Sequence, residues 1–149
     1  MAEHNVIGHI GEEFACQIMR KKGFRIAETN WIFGHLEMDI IAINRKEIVF
    51  VEVKTRTSTF SEKRPEEYVD DLKKRRMVTA ANAYIKMNRI EQVPRFDIIG
   101  LIMNPVTHEI IESTHLEDAF SPSLRTIGKN TFSGQERWHH KRKTIGGKR

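Results

Sequence analysis

The sequence predicts a single α/β domain with the element order αβββαββ. Two long stretches carry apolar residues at helical spacing, and five shorter stretches rich in apolar residues lie between and after them. The chain has 149 residues, of which 39% are hydrophobic and 30% are charged. This size and balance fit one globular core and exclude a disordered, fibrous or membrane-embedded chain.

The first helix is predicted over residues 6–22. Apolar residues recur there at three- and four-residue steps from Ile7 to Ile18. Gly23, which follows two lysines, favours a helix end because cations stabilise the helix C-terminus and Gly adopts the left-handed conformation. A short strand is expected over residues 25–30.

A β-hairpin is predicted next. Residues 38–43 and 48–53 are β-branched and almost continuously apolar, and the polar tetrad 44–47 separates them. Such runs are typical of central strands that are covered on both faces. Asp39 and Glu52 are the exceptions and require an explanation.

A polar connection over residues 56–67 leads to the second helix, and either a lid or an ordinary surface loop fits this length. Pro65 is predicted in the first turn of the helix, where its missing N–H costs little. The strands expected afterwards are 95–103 and an edge strand over 108–112. The predicted apolar face of the second helix comprises Val69, Leu72, Met77, Ala80, Tyr84 and Met87.

Charge divides the chain into a domain over 1–120 and a basic C-terminal tail over 121–149. The tail has eight Lys or Arg residues and one acid, which gives it a net charge of +7, whereas the first 120 residues carry −2. We expect the tail to be largely disordered unless something binds it. It could neutralise phosphates, or it could be a solvated extension without a task.

The cellular compartment is predicted to be the cytoplasm. Cys16 is the only cysteine, so an intrachain disulfide is excluded. The longest apolar stretch, residues 98–103, is too short to span a bilayer, and a secretion signal is not recognisable. The histidines show no metal-ligand spacing, and no P-loop or dinucleotide glycine pattern occurs.

Acidic and basic side chains converge on the predicted hairpin. Because side chains alternate along a strand, Glu52, Lys54 and Arg56 share one face. A turn at the centre of the polar tetrad places Asp39 directly opposite Glu52, whereas a register shift of two residues would pair Glu37 with Glu52. The carboxylates cluster in either register.

Two carboxylates ~5 Å apart repel each other by roughly 3 kcal/mol, so both stay ionised only beside a cation. Lys54 can supply part of this compensation and a divalent metal can supply more. Oxygen ligands with open coordination positions suit Mg²⁺, which predicts phosphodiester hydrolysis. The alternative from the spacing alone is a structural ion cluster of Asp39, Glu52 and Lys54.

Several short motifs resemble known nucleases. Asp39, twelve residues and then Glu52-Val53-Lys54 resemble the PD-(D/E)xK core of restriction endonucleases and archaeal Holliday-junction resolvases. The closer resemblance, over about residues 5–115, is to the YraN proteins, a small bacterial family described as endonuclease-like. The matching motifs are Gly8-x-x-Gly11-Glu12-x-x-Ala15, Lys22-Gly23-Phe24-Arg25-Ile26, Asn30-Trp31, Glu37-Met38-Asp39-Ile40-Ile41-Ala42, Val49-Phe50-Val51-Glu52-Val53-Lys54-Thr55-Arg56, Val69 with Lys73, and Arg95-Phe96-Asp97.

The resemblance implies a restriction-endonuclease-like αβββαβ core, in which helices flank a central mixed sheet, and a Mg²⁺- or Mn²⁺-dependent endonuclease. It implies that Asp39 and Glu52 hold the metal and that Lys54 orients water or stabilises the transition state. Glu12 corresponds to a first-helix acid that can complete the catalytic group. One departure is Leu36, since the family usually has Gly at this position.

Nucleic acid, and DNA in particular, is the expected partner. Arg56, Lys73 and Arg76 are candidates for phosphate contacts, whereas Lys74 and Arg75 are predicted to be solvated. No recognition helix or finger is evident, so recognition of DNA structure rather than base sequence is expected. The alternative function is a non-catalytic accessory protein recruited by a DNA-processing partner. A homodimer is compatible with either function.

Overall fold

The structure is a computed structural model that describes residues 2–57, 67 and 69–122. Its five strands form one sheet in the order β1-β2-β3-β4-β5, with β3 and β4 parallel and the other neighbours antiparallel. The predicted α/β class and the order αβββαββ are confirmed, and the architecture is compatible with a restriction-endonuclease-like core. The elements are α1 Ala2–Lys21, β1 Arg25–Phe33, β2 Leu36–Ile43, β3 Glu47–Arg56, α2 Asp71–Met87, β4 Val93–Met103 and β5 Ile110–Phe120.

The two helices cover opposite faces of the sheet. Ala15 and Met19 of α1 pack with Val51 on one face, and Tyr84 of α2 packs with Phe50 on the other. Successive residues of β3 therefore point into different cores, which explains its almost continuous apolar run. In the part of the chain that the structure describes, neither helix is long and apolar enough to cross a membrane.

The β2–β3 hairpin has the predicted register. Ile40 pairs with Val51 and Ile43 pairs with Ile48. The Asn44 side chain closes the turn, because its Oδ1 accepts hydrogen bonds from the backbone N–H groups of Lys46 and Glu47, at 2.9 and 2.7 Å. The alternative register, shifted by two residues, is wrong.

The predicted start of the second helix is wrong. The helix begins at Asp71, and Asp70 caps it by accepting a hydrogen bond from the Lys73 backbone N–H at 2.8 Å. Leu72 and Met87 were expected on the apolar face, yet they are exposed near the two ends of the helix, beyond the part that faces the core. Its buried residues are Met77, Val78, Ala80, Ala81, Asn82, Tyr84 and Ile85.

The last strand is longer than predicted. It runs over Ile110–Phe120 rather than 108–112, because its polar residues lie on an edge strand where one row of side chains meets solvent. Phe120, at its end, stacks on Phe96 with ring centroids 4.7 Å apart. Pro65, most of the 56–67 connection and most of the 121–149 tail lie outside the described residues.

The turn before β2 accommodates Leu36, at the position where the resemblance to the YraN proteins predicts Gly. Gly34, two positions earlier, has the positive φ of 61° that the turn requires. Leu36 is free to begin β2 in an extended conformation and to pack against the core beneath α2.

Helix α1 lies close to β3 at Gly11. A Cβ atom at this position would lie 2.0 Å from the Thr55 Oγ1 atom, whereas a Cβ at Gly8 would meet nothing within 4 Å. We expect Gly11→Ala to lower the free energy of unfolding by roughly 1–3 kcal/mol through overpacking. The matched control Gly8→Ala should raise it by about 0.5–1 kcal/mol, because Ala favours the helix.

Urea denaturation of the two variants measures both effects. Equal stability changes of the same sign would contradict the close approach of α1 to β3, since only Gly11 faces Thr55.

Candidate functional site

The site lies where the β2–β3 ladder ends. The last paired residues at this end are Ile40 and Val51, so Asp39 and Glu52 come next in register. Beyond this pair, a side chain takes the place of a backbone acceptor: Oδ2 of Asp39 accepts a hydrogen bond from the Val53 backbone N–H at 2.9 Å. The end of strand pairing thus brings two carboxyl groups together, as the sequence predicts.

The two carboxyl groups are electrostatically coupled. Burial, followed by the charge of Glu52, raises the pKa of Asp39 from 3.8 to about 7. Burial also raises the pKa of Glu52, although Lys73 and the carboxyl group of Asp39 act in the opposite direction. Since each group is within hydrogen-bonding reach of the other, the pair favours a state that retains a proton.

Lys73 contacts this pair rather than an open surface. Its Nζ lies 3.4 Å from Oε2 of Glu52, a residue only 8% exposed. Among the described residues, no hydrogen bond of good geometry reaches that oxygen. The cap on α2 fixes the backbone of Lys73 through Asp70, so the helix start places the cation beside the carboxylate.

Glu12 approaches from α1. Its Oε2 accepts a hydrogen bond from Nδ2 of Asn30 at 3.0 Å, and Asn30 has a positive φ of 50°. Burial raises the pKa of Glu12, the bond from Asn30 opposes this effect, and the charge of Asp39 adds to it. The charges of Glu12 and Asp39 therefore interact. Glu12 belongs to α1, which covers the face of the sheet opposite to α2.

The other predicted residues lie around the pair at different depths. Lys54 is partly buried on β3, and its charge lowers the pKa of Glu52. Arg56 is partly buried at the end of the same strand, whereas Arg76 is exposed on α2. Glu37 is exposed at the start of β2.

The prediction for Lys74 is wrong. Its ammonium was expected in solvent, but it lies 5.6 Å from the centre of the Phe120 ring, in a cation–π contact. The long β5 strand causes this contact by bringing Phe120 back to the start of the helix. Arg75 is exposed, as predicted.

A second buried carboxylate is Asp97, the last residue of the Arg95-Phe96-Asp97 motif, for which the sequence predicts no role. It is fully buried on the face of β4 towards α1, where Arg95 donates two hydrogen bonds of 2.8 Å and His115 lies at 2.7 Å. Burial raises the pKa of Asp97, but the bonds from His115 and Arg95 outweigh this and hold it below its usual range. The alternation of Arg95 and Asp97 on one strand face was the available signal.

The donor set at the Asp39–Glu52 pair fits a hard divalent cation. Both residues offer carboxylate oxygens, and Oε2 of Glu52 lies beside a cation without a hydrogen bond of good geometry. Over residues 2–57, 67 and 69–122, however, no three His, Cys, Asp or Glu side chains form a group that could hold a metal. Among the described residues, a cation at this position would therefore have two carboxyl groups, those of Asp39 and Glu52, as its protein oxygen donors.

The raised pKa of Asp39 predicts an unusual dependence of stability on pH. Between about 4 and 7 the folded protein holds a proton that the unfolded chain has released, so the free energy of unfolding falls as pH rises through this window. Asp39→Asn removes this titration, and its amide oxygen can still accept from Val53. We expect the free energy of unfolding of the variant to exceed that of the wild type at pH 8 by on the order of 1 kcal/mol or more.

Urea denaturation in EDTA across this pH range measures the difference between the two proteins. The difference should shrink towards pH 4, where Asp39 is protonated in the folded protein. A difference that does not change with pH would show that Asp39 is not held protonated by its surroundings.

Comparison with known proteins identifies the family. The model of the uncharacterised protein family UPF0102 matches residues 11–101. A UPF0102 protein of Bacteroides thetaiotaomicron is 44% identical over 83% of this chain and 99% of its own length. UPF0102 proteins of Flavobacterium psychrophilum and Porphyromonas gingivalis are 41% and 38% identical, over 80% and 88% of this chain and 98% and 96% of their own lengths.

The family model covers the second half of α1, the strands β1 to β3, α2, most of β4, and both carboxylates of the pair. The predicted membership of the YraN group, to which UPF0102 corresponds, is confirmed. The chain belongs to the uncharacterised protein family UPF0102.

Proposed function

We propose that this protein is a metal-dependent nuclease that hydrolyses phosphodiester bonds in DNA and selects its substrate by structure rather than base sequence. The observation that carries the proposal is the Asp39–Glu52 pair, in which desolvation raises both pKa values and Lys73 Nζ lies 3.4 Å from Glu52 Oε2. Perturbed carboxyl groups that lie together beside lysines are typical of catalytic sites. The PD-(D/E)xK-like spacing supports the same assignment.

Asp39 and Glu52 would hold the metal, Mg²⁺ or Mn²⁺, through their carboxylate oxygens. When bound, such a cation supplies charge neutralisation at the phosphate and lowers the pKa of water. The Val53 N–H fixes the orientation of the Asp39 carboxylate, and burial excludes competing water from the Glu52 carboxylate. The chain therefore presents a preoriented pair of acceptors.

Lys54 is the cation that stabilises negative charge developing on the phosphate. It projects from the same face of β3 as Glu52, two residues further along the strand, and its charge acts on Glu52. Glu12, held by Asn30, offers a fixed oxygen that can orient a water molecule. Lys73 and Arg56 flank the pair and are suited to hold phosphates of the substrate, while Arg76 extends this basic surface along α2.

A structural role for the acidic pair is less well supported than a catalytic one. Asp97 shows what a structural carboxylate of this chain looks like, because it has several strong donors and a lowered pKa. Asp39 has the opposite character, with one backbone donor and a raised pKa. This contrast favours a site that exchanges its proton for another positive charge.

The proposal predicts cleavage that depends on a divalent metal. The wild type should cut at least one member of a labelled panel of single-stranded, duplex, flap and four-way-junction DNA when Mg²⁺ or Mn²⁺ is present. Asp39→Asn and Glu52→Gln should each lower the rate by about 100-fold or more, since each removes charge that acts in the transition state. The matched control Glu47→Gln, at the opposite end of β3, should cut normally once it is shown to fold.

A thermal unfolding series with added Mg²⁺ separates binding from cleavage. The metal should stabilise the wild type and Glu47→Gln but not Glu52→Gln, because only a ligand that binds the folded state raises stability. Metal and DNA binding without cleavage would favour the accessory function. No metal-dependent stabilisation and no cleavage would refute the nuclease proposal.

A further inference from the structure

An aromatic surface lies at the tip of the β1–β2 hairpin. The Phe33 and Trp31 rings are almost parallel, at 7°, with centroids 6.0 Å apart. Trp31 in turn meets the Tyr84 ring edge-on at 5.1 Å. We call Phe33, Trp31 and Tyr84 the aromatic ladder. Its outer end is open, because Phe33 is 41% exposed.

The aromatic ladder lies on the same sheet face as Glu52. Tyr84 belongs to α2 and also contacts the Phe50 ring, at 6.3 Å between centroids. Phe50 precedes Glu52 by two residues on β3, so both project from the face that α2 covers. Lys54 projects from this face as well. The ladder, the acidic pair and this cation are therefore on one side of the sheet.

The aromatic ladder is also close to the acidic pair along the strands. Trp31 pairs with Met38, the neighbour of Asp39, and Phe33 pairs with Leu36. Asp39 lies three residue steps after Leu36 on β2, a distance of about 10 Å along the strand. This distance corresponds to about three base steps of a stacked strand.

Aromatic rings beside cations suit a strand with unpaired bases. Proteins hold single-stranded nucleic acid by stacking bases on aromatic side chains while basic residues follow the phosphates. In a duplex both faces of each internal base are already stacked, so a protein ring can reach only an unpaired or terminal base. The Trp31 ring lies parallel to the Phe33 ring and restricts its movement, which lowers the entropy lost when a base stacks on Phe33.

We propose that Phe33, supported by Trp31, is a stacking platform for an unpaired base of DNA close to the phosphate that is cut. The inference rests on the proposed nuclease function and narrows its substrate to single-stranded DNA or duplex DNA with unpaired nucleotides at the cleavage point. Lys54 projects from the same sheet face and would contact the phosphates that follow the stacked base. The parallel rings and a cation on their face of the sheet favour a base with its phosphates over an apolar protein surface.

Binding of labelled oligothymidine and of labelled duplex in EDTA tests the platform without cleavage. Phe33→Leu keeps apolar packing against Trp31 but removes the ring, and it should weaken oligothymidine binding about 10-fold, equivalent to about 1.4 kcal/mol. Phe33→Trp should restore binding, and the affinity for duplex should not change. The control Ile111→Ala alters an exposed apolar residue of β5 and should have no effect.

Fluorescence gives an independent readout of the same contact. Trp138→Phe leaves Trp31 as the only tryptophan, so oligothymidine should change its emission in this background and change it much less when Phe33→Leu is added. Unchanged oligothymidine affinity in Phe33→Leu would overturn the platform. An equal loss of affinity for duplex in Phe33→Leu would also overturn it. The same holds if the protein self-associates and Phe33→Leu abolishes this self-association while DNA binding stays intact.

The cleavage assay separates this inference from the proposed function. If the wild type cuts DNA and Phe33→Leu cuts single-stranded DNA equally well, the platform is refuted and the nuclease stands. If the wild type does not cut but binds oligothymidine through Phe33, the stacking of an unpaired base stands, whereas the nuclease and the cleavage point beside the stacked base are refuted. If the wild type neither binds nor cuts DNA, both are refuted.

Discussion

The burial of two neighbouring carboxyl groups, those of Asp39 and Glu52, is the constraint to which the surrounding structure responds. Two ionised carboxylates cannot share such a position without compensation, so the pair must hold a proton or a cation. Where the pairing of β2 with β3 ends, the Val53 N–H donates a hydrogen bond to Asp39 instead of to a backbone carbonyl of β2. The first turn of α2 brings Lys73 to Glu52. The rest of the fold holds these compensating groups in place.

One position on each side of the sheet determines how closely a charged side chain approaches the acidic pair. Gly11 lets α1 approach β3, which places Glu12 within electrostatic reach of Asp39. On the other face, the Asp70 cap sets where α2 begins and hence where Lys73 lies. Asp97 is a useful contrast within one sheet, because donors from β4 and β5 fully satisfy it. An aspartate of this sheet thus has a lowered pKa where several donors bind it, as at Asp97, and a raised pKa where few donors do, as at Asp39.

Much of the fold and of the acidic pair was predictable from local pattern. Strand alternation and the position of the turn were enough to place Asp39 opposite Glu52, because the polar tetrad fixes the hairpin register. Long-range packing was not predictable in the same way. The helix start depends on the Asp70 side chain rather than on Pro65, the contact of Lys74 depends on how far β5 extends, and the aromatic ladder depends on α2 meeting β1. A single sequence carries no direct record of such contacts.

The central claim is that the Asp39–Glu52 pair exchanges a proton for a divalent cation. Titration calorimetry with Mg²⁺ at pH 6, repeated in buffers of different ionisation enthalpy, counts the protons released on binding. The account predicts release of about one proton per Mg²⁺ by the wild type, because the metal needs deprotonated ligands, and no such release by Asp39→Asn. Binding of Mg²⁺ without proton release, or release that Asp39→Asn leaves unchanged, would contradict it.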